Sequence, residues 1–179
     1  MIQCNHEPMP EYLSFETGRL FLKPTTGADA PFLLDLVNSP TWLQYIGDRN
    51  VYSLEDAETY IQTRITPQLE RLGYANYTLV RKADGMKIGL CGLYDREGLE
   101  GVDLGFALLP AFEKQGYAFE AAQKMLEAGT RCFHLQEILA ITTHVNHNSQ
   151  KLLEKLGFRF VKTIRMANDP EELLLFAWN

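Results

Sequence analysis

A chain of 179 residues, 46% hydrophobic and 22% charged, is long enough for one globular domain with a buried core and gives no reason to expect two. Its formal net charge of -6, with Lys and Arg scattered, weighs against direct nucleic-acid binding, which needs clustered positive charge, and suits small or cationic partners. No apolar run approaches membrane-spanning length and the first Lys or Arg is Arg19, so neither a membrane partner nor a secretory signal is expected, and the expected location is cytoplasmic.

Residues 1–14 carry two prolines and no clear period, and are read as an N-terminal extension before a single domain at 15–179. FETGRLFLKPT, from Phe15, alternates well enough to predict a first strand. GADAPFLLDLVNSP spaces Phe32, Leu33, Leu36 and Val37 as a helix ending near Pro40. SLEDAETYIQTRITPQLERLG opens on a Ser53 cap and stops at Gly73, and Pro67 is expected to kink or split it. ANYTLVRK, KIGLCGLYD and GVDLGFALLP then predict three strands joined by turns at ADG and REGLEG, an antiparallel meander. A helix follows from Gly116 to about His134, then the strand EILAITTHV, the helix NSQKLLEKLG and the strands FRFVKTIR and EELLLFAW. The order is α+β, with one central crossover. Cys4, Cys91 and Cys132 show neither metal spacing nor disulfide density and read as ordinary thiols. His144 and His147 straddle a strand end and a corner, and no metal site is expected.

Two corners stand out. In PAFEKQGYAFEAAQK the chain leaves a strand and turns through Gly116 into a helix beginning Tyr117, Ala118, Phe119. The free N–H groups of such a first turn, with the positive end of the helix dipole, can hold an anion; a plain strand-to-helix turn would use the same residues. In NHNSQKLLEKLGFRF, Asn146, Asn148 or Ser149 could cap a helix that buries Leu152, Leu153 and Leu156 and ends at Gly157.

Taken together, these segments resemble the GNAT superfamily of acetyl-CoA-dependent N-acetyltransferases. The family's pyrophosphate motif, Gln/Arg-x-x-Gly-x-Gly/Ala, is similar to EKQGYA, in which Gly116 and Ala118 match while Glu113 replaces the usual Gln or Arg and Lys114 stands where many members have glycine. GYAFEA and Asn-x-x-Ser followed by Leu-x-x-Lys-Leu-Gly-Phe are most similar to the ribosomal-protein N-terminal acetyltransferase (RimJ/RimL-like) branch.

The resemblance implies a central mixed, mostly antiparallel sheet flanked by helices, with the strand near 102–109 splayed from EILAITTHV. It places acetyl-CoA in that gap, against Phe106, Ala107 and Leu108, with the diphosphate on Lys114, Gln115, Gly116, Tyr117, Ala118 and Phe119, and with Asn146 and Ser149 as further contacts. A strand N–H near Phe106 or Ala107 would hold the thioester oxygen. No metal is implied.

Transfer to an amine needs a neutral nucleophile. An α-amino group, with pKa about 8, is partly neutral at physiological pH, whereas lysine at about 10.4 is not, so for an N-terminus a weak base or a water chain suffices. Asp103 is the first base candidate, because it shares a strand face with the small Gly105 and Ala107; a structural or solvated aspartate is the alternative. His144, at the end of the next strand, is second. Ser149 matches the position that protonates the departing thiolate. Trp42, Tyr45 and Arg49 lie in the segment that shapes the acceptor cleft in this family, though helical spacing alone would make the aromatic pair core. The acceptor is expected to be a protein N-terminus or a small-molecule amine, and the protein a monomer or homodimer. The alternative is a non-catalytic acyl-CoA-binding module.

Overall fold

The computed structural model describes residues 11–167 and 169–179; residues 1–10, most of the expected extension together with Cys4, lie outside them. The alternating runs become β1 (Phe15–Glu16), β2 (Leu20–Pro24), β3 (Asn76–Arg81), β4 (Lys87–Asp95), β5 (Val102–Leu108), β6 (Ile138–Thr143), β7 (Arg159–Arg165) and β8 (Glu172–Trp178). They form one sheet in the order β1-β2-β3-β4-β5-β6-β8-β7. Neighbours are antiparallel except β5 and β6. A parallel pair needs a long crossover, and the helix α5 (Tyr117–Arg131), which follows α1 (Ala30–Val37), α2 (Pro40–Tyr45), α3 (Leu54–Tyr60) and α4 (Thr66–Leu72), supplies it. The last helix, α6 (His147–Leu156), joins β6 to β7. The expected mixed, mostly antiparallel sheet flanked by helices is what the chain forms.

Three expected elements differ in detail. The first strand is two, because the chain turns back between Thr17 and Leu20, whose backbones bond at 2.9 Å. The helix that opened to about His134 ends at Arg131, and His134 itself takes a left-handed φ of 56°. Pro67 splits the helix into α3 and α4, as expected, and the break takes a particular form. Pro67 lacks an N–H and its ring would crowd the carbonyl four residues back, so the backbone widens into a π-helical turn at Ile61–Ile65, in which Thr66 N–H reaches the Ile61 carbonyl. Across that turn Ile61, Ile65 and Leu69 stay buried at spacing four, and Tyr60, Arg64 and Gln68 fall together on the neighbouring face.

The sheet is packed on both sides. On one, Leu104 and Leu108 of β5 meet Ala121, Met125 and Leu126 of α5 and Leu153 of α6. On the other, Leu90 and Ala75 meet Leu33 and Leu36 of α1 with Ile61 and Ile65. Strand alternation therefore sends Leu104, Phe106 and Leu108 toward α5, and Asp103, Gly105 and Ala107 toward the α1–α4 layer. Met125 and Leu153 are each 1% exposed or less, and burial of such side chains contributes roughly 1.5–3 kcal/mol apiece.

Candidate active site

β4 and β5 pair along their length, from Gly89 opposite Leu108 to Asp95 opposite Val102, whereas β5 and β6 meet only at Asp103 opposite Leu139. Beyond that bridge the parallel pair splays. Leu109 N–H donates to the Ile88 carbonyl at 2.9 Å, and strand alternation then turns the N–H of Ala107 toward β4 and those of Phe106 and Leu108 away from it, into the gap. A buried sheet edge with free donors requires a partner. The gap opens into a cleft of about 1150 Å³ that runs from the start of α5, past Asn146 and Ser149 on α6, to Trp42 and Tyr45 on α2.

At the α5 end, Gly116 has φ 83° and no side chain caps the helix. The first intrahelical donor is Glu120 N–H, to the Gly116 carbonyl at 3.1 Å, so the N–H groups of Tyr117, Ala118 and Phe119 have no carbonyl within the helix. Arg19, from the turn between β1 and β2, grips this corner. Its Nε donates to Glu120 Oε2 at 2.7 Å, its backbone N–H to Glu120 Oε1 at 2.8 Å and Nη1 to the Gln115 carbonyl at 2.9 Å. Its guanidinium carbon lies 4.3 Å from the centre of the buried Tyr117 ring. A Cβ at position 116 would stand 3.2 Å from Arg19 Nη2. Partial burial would raise the Glu120 pKa, but the bonds from the Thr17 hydroxyl and from Arg19 outweigh it and hold the carboxyl below its usual range.

At the other end, Tyr94 lies across Gly105, where an added Cβ would stand 2.7 Å from Tyr94 Cε2. Arg96 stacks on Tyr94 at 4.8 Å and its Nε donates to Asp103 Oδ1 at 2.8 Å and Oδ2 at 3.0 Å. Asp103 is 1% exposed. Burial pushes its carboxyl above the usual range against the opposing pull of Arg96, and burial also raises the Tyr94 phenol. Arg49, Tyr60 and Arg64 complete this end.

Of the residues singled out in the sequence, Trp42, Tyr45, Arg49, Asp103, Phe106, Ala107, Leu108, Lys114, Gly116, Tyr117, Ala118, Phe119, Asn146 and Ser149 all line this one cleft. Two do not. Gln115 faces outward, its carbonyl taken by Arg19 and its amide by the Ala111 carbonyl at 2.9 Å. His144 is half exposed and lies 3.3 Å from Glu172, so it is not placed to act on anything bound in the cleft. Ala107 lines it with its side chain, but its N–H points toward β4, whereas that of Phe106 points into the gap. Asp103 meets the cleft behind Arg96 rather than as a free carboxylate. Asn146 is the helix cap, its Oδ1 accepting from Ser149 N–H at 3.1 Å, which leaves the Ser149 hydroxyl free of a side-chain partner among the described residues. Cys91 is buried, and burial raises its thiol pKa, which suits no covalent route. Sequence reasoning missed Arg19, Tyr94, Arg96, Tyr60 and Arg64. Only the opposition of Tyr94 and Asp103 across β4 and β5 could have hinted at the Arg96 cluster, and no local signal marks Arg19. Among the described residues no group of three His, Cys, Asp or Glu could hold a metal ion, and no helix is long and apolar enough to cross a membrane.

An uncharacterized N-acetyltransferase of Bacillus subtilis, YoaA, is 28% identical over 145 residues, covering 80% of this chain and 81% of its own. Among solved structures, an acetyltransferase from Agrobacterium tumefaciens superposes with a TM-score of 0.80 at 22% identity, covering 96% of both chains. The RimL ribosomal L7/L12 alpha-N-protein acetyltransferase in complex with coenzyme A does so with a TM-score of 0.76 at 19% identity, covering 90% of this chain and 94% of its own; both likenesses are of fold. The family described as acetyltransferase (GNAT) domain matches residues 19–159, a span that takes in the Arg19 grip, the splayed pair and the α6 cap, and by that match the chain belongs to the GNAT acetyltransferases and is an enzyme of acetyl transfer.

Proposed function

We propose that the acetyl group comes from acetyl-CoA and passes directly to a primary amine, a protein N-terminus or a small molecule, in the manner of the RimJ/RimL-like branch and in the cytoplasm. The observation that carries this reading is the continuity of the splayed β5–β6 gap with the uncapped start of α5. The residues fit the cosubstrate: a row of strand donors suits the amides of a pantetheine arm, and the N–H groups of Tyr117 to Phe119, with the helix dipole and Lys114, suit a diphosphate. The neighbouring RimL structure, a complex with coenzyme A, is consistent with this assignment.

Acetyl-CoA, when bound, supplies an activated thioester; the remaining work falls to this chain. Phe106 N–H offers a hydrogen bond to the acyl oxygen, worth most where developing charge is met by a fixed donor. The Ser149 hydroxyl offers a proton to the departing sulfur. Asp103 acts as a positioning residue: it fixes Arg96 and, through it, Tyr94 beside the acceptor, while the amine loses its proton to water in the cleft. That route suits an α-amino group of pKa about 8.

Isothermal titration of acetyl-CoA, followed by thiol release over a panel of amines, tests the proposal. Tight binding with turnover on an α-amine is expected. Absence of binding would end the acetyl-CoA assignment, and binding without turnover on any amine would favour a non-catalytic acyl-CoA-binding module.

A further inference from the structure

Arg49 and Arg64 line the acceptor end of the cleft and also a recess of about 180 Å³ adjoining it, shared with Tyr60, Thr59 and Asp56. Neither arginine has a carboxylate within ion-pair distance among the described residues. The local acids are otherwise engaged. Asp48 accepts from the Tyr52 hydroxyl at 2.5 Å and Asn50 N–H at 2.8 Å. Asp56 accepts from the backbones of Tyr52 and Ser53, each at 2.9 Å, as part of the α3 capping box. The third arginine of this end, Arg96, is bound to Asp103.

The same cleft also carries acids. Glu97, in the β4–β5 turn, and Asp169 and Glu171, between β7 and β8, line the same cleft with no Lys or Arg partner among the described residues. The two loops meet, since a Cβ at Gly98 would lie 3.8 Å from Met166 Cε. A cleft that carries both cationic and anionic side chains outside ion pairs complements a ligand carrying both signs.

We infer that the acceptor is an amine that also bears a carboxylate, with Arg49 and Arg64 binding the carboxylate and setting specificity. The inference rests on the acetyltransferase reading and names its substrate class. The planar guanidinium fork matches a carboxylate in two-point geometry, whereas a polyamine would leave both arginines unpaired and meet their repulsion. The carboxylate could belong to a free α-amino acid or to an acidic side chain near a peptide N-terminus.

The test compares three acceptors sharing one amine: an α-amino acid, its carboxamide, and a peptide amide with Asp at its second position. Each is titrated calorimetrically into the enzyme–CoA complex, which needs no turnover, and then assayed for thiol release with acetyl-CoA. At least one carboxylate-bearing acceptor is expected to bind about tenfold tighter than the carboxamide, the scale of one charge-assisted contact. Whichever of the two does so identifies the source. Arg64→Gln and Arg49→Gln should each erase most of that preference, raising KM for the carboxylate acceptor more than for the carboxamide. Equal binding of acid and amide, or variants that weaken both alike, would overturn the inference even if acetyl transfer stands. Preferential binding of the acid without thiol release would keep Arg49 and Arg64 as a carboxylate site but overturn its assignment to an acetyl acceptor.

Discussion

At the α5 end of the cleft the groups that face a ligand are backbone N–H donors of Tyr117 to Phe119, held by a turn at Gly116; at the α3 end they are the side chains of Arg49, Tyr60, Arg64 and Arg96, brought from three separate stretches of chain. The first end is indifferent to most side-chain changes and sensitive to anything that moves or covers the backbone. The second is tuned by single side chains, with the backbone only a platform. A cosubstrate common to a family suits the first construction, and an acceptor that differs among members suits the second.

The largest effect should come from covering the backbone end. In Gly116→Trp a side chain must occupy φ 83° and pass Arg19, and acetyl-CoA affinity is expected to fall by at least about a hundredfold by calorimetry, with acceptor binding spared. If both ends lose affinity together, the division between them is wrong. At the side-chain end, Asp103→Asn frees Arg96 and should lower kcat about tenfold through misplacement of the acceptor. The pH profile of kcat/KM separates positioning from base catalysis. With Asp103 as a positioning residue the acidic limb follows the acceptor's own pKa and survives the substitution; with Asp103 as the base the limb disappears.

The same division accounts for what could be seen in the sequence. The α5 corner is local: the end of β5 at Leu108, Gly116 and the start of α5 at Tyr117 lie within ten consecutive residues, so its geometry and the resemblance of EKQGYA both lie in one window. The Asn146 cap and the Gly157 stop are local in the same sense. Arg19 lies 101 residues from Glu120, and nothing near either residue announces the pair. Arg96 reads as part of a turn until β4 and β5 are aligned. Asp103 was legible as a residue on the small-residue face of β5, but its occupation by Arg96 was not, because alternation gives a side chain's direction and not its partner. The π turn escaped for a related reason: Pro67 forecasts disruption, and only the packing of Ile61, Ile65 and Leu69 decides which disruption is adopted.

A smaller effect joins the two constructions, because the backbone corner is itself held by side chains. Glu120→Gln keeps the shape but removes the charge that Arg19 grips. The expected cost is about 1 kcal/mol, kept low because Arg19 is 46% exposed and solvent screens the pair. Since folding lowers the Glu120 pKa, its contribution is complete above the unfolded value of about 4.3 and is lost as pH falls through the lower folded value. Urea titrations of wild type and variant should thus differ at pH 6 and converge toward pH 3. A gap that persists at pH 3 would mean that the carboxylate's charge is not what holds the corner.

The smallest effect bears on α6, where backbone and side-chain roles occupy neighbouring residues. Asn146 caps the helix through Oδ1 and Ser149 receives that cap through its N–H, so Ser149→Ala leaves the cap intact while deleting the hydroxyl. Thermal stability should stay within about 0.5 kcal/mol of wild type. The loss in kcat should be only about three- to tenfold, below the usual range for acid catalysis, because a thiolate with a parent pKa near 8.5 is already a competent leaving group. Asn146→Ala inverts the pattern: the helix start loses its acceptor, at about 1 kcal/mol, and kcat falls only as far as Ser149 is displaced. If Ser149→Ala destabilises as much as Asn146→Ala and leaves kcat untouched, the hydroxyl belongs to the fold, and the departing sulfur must take its proton from solvent.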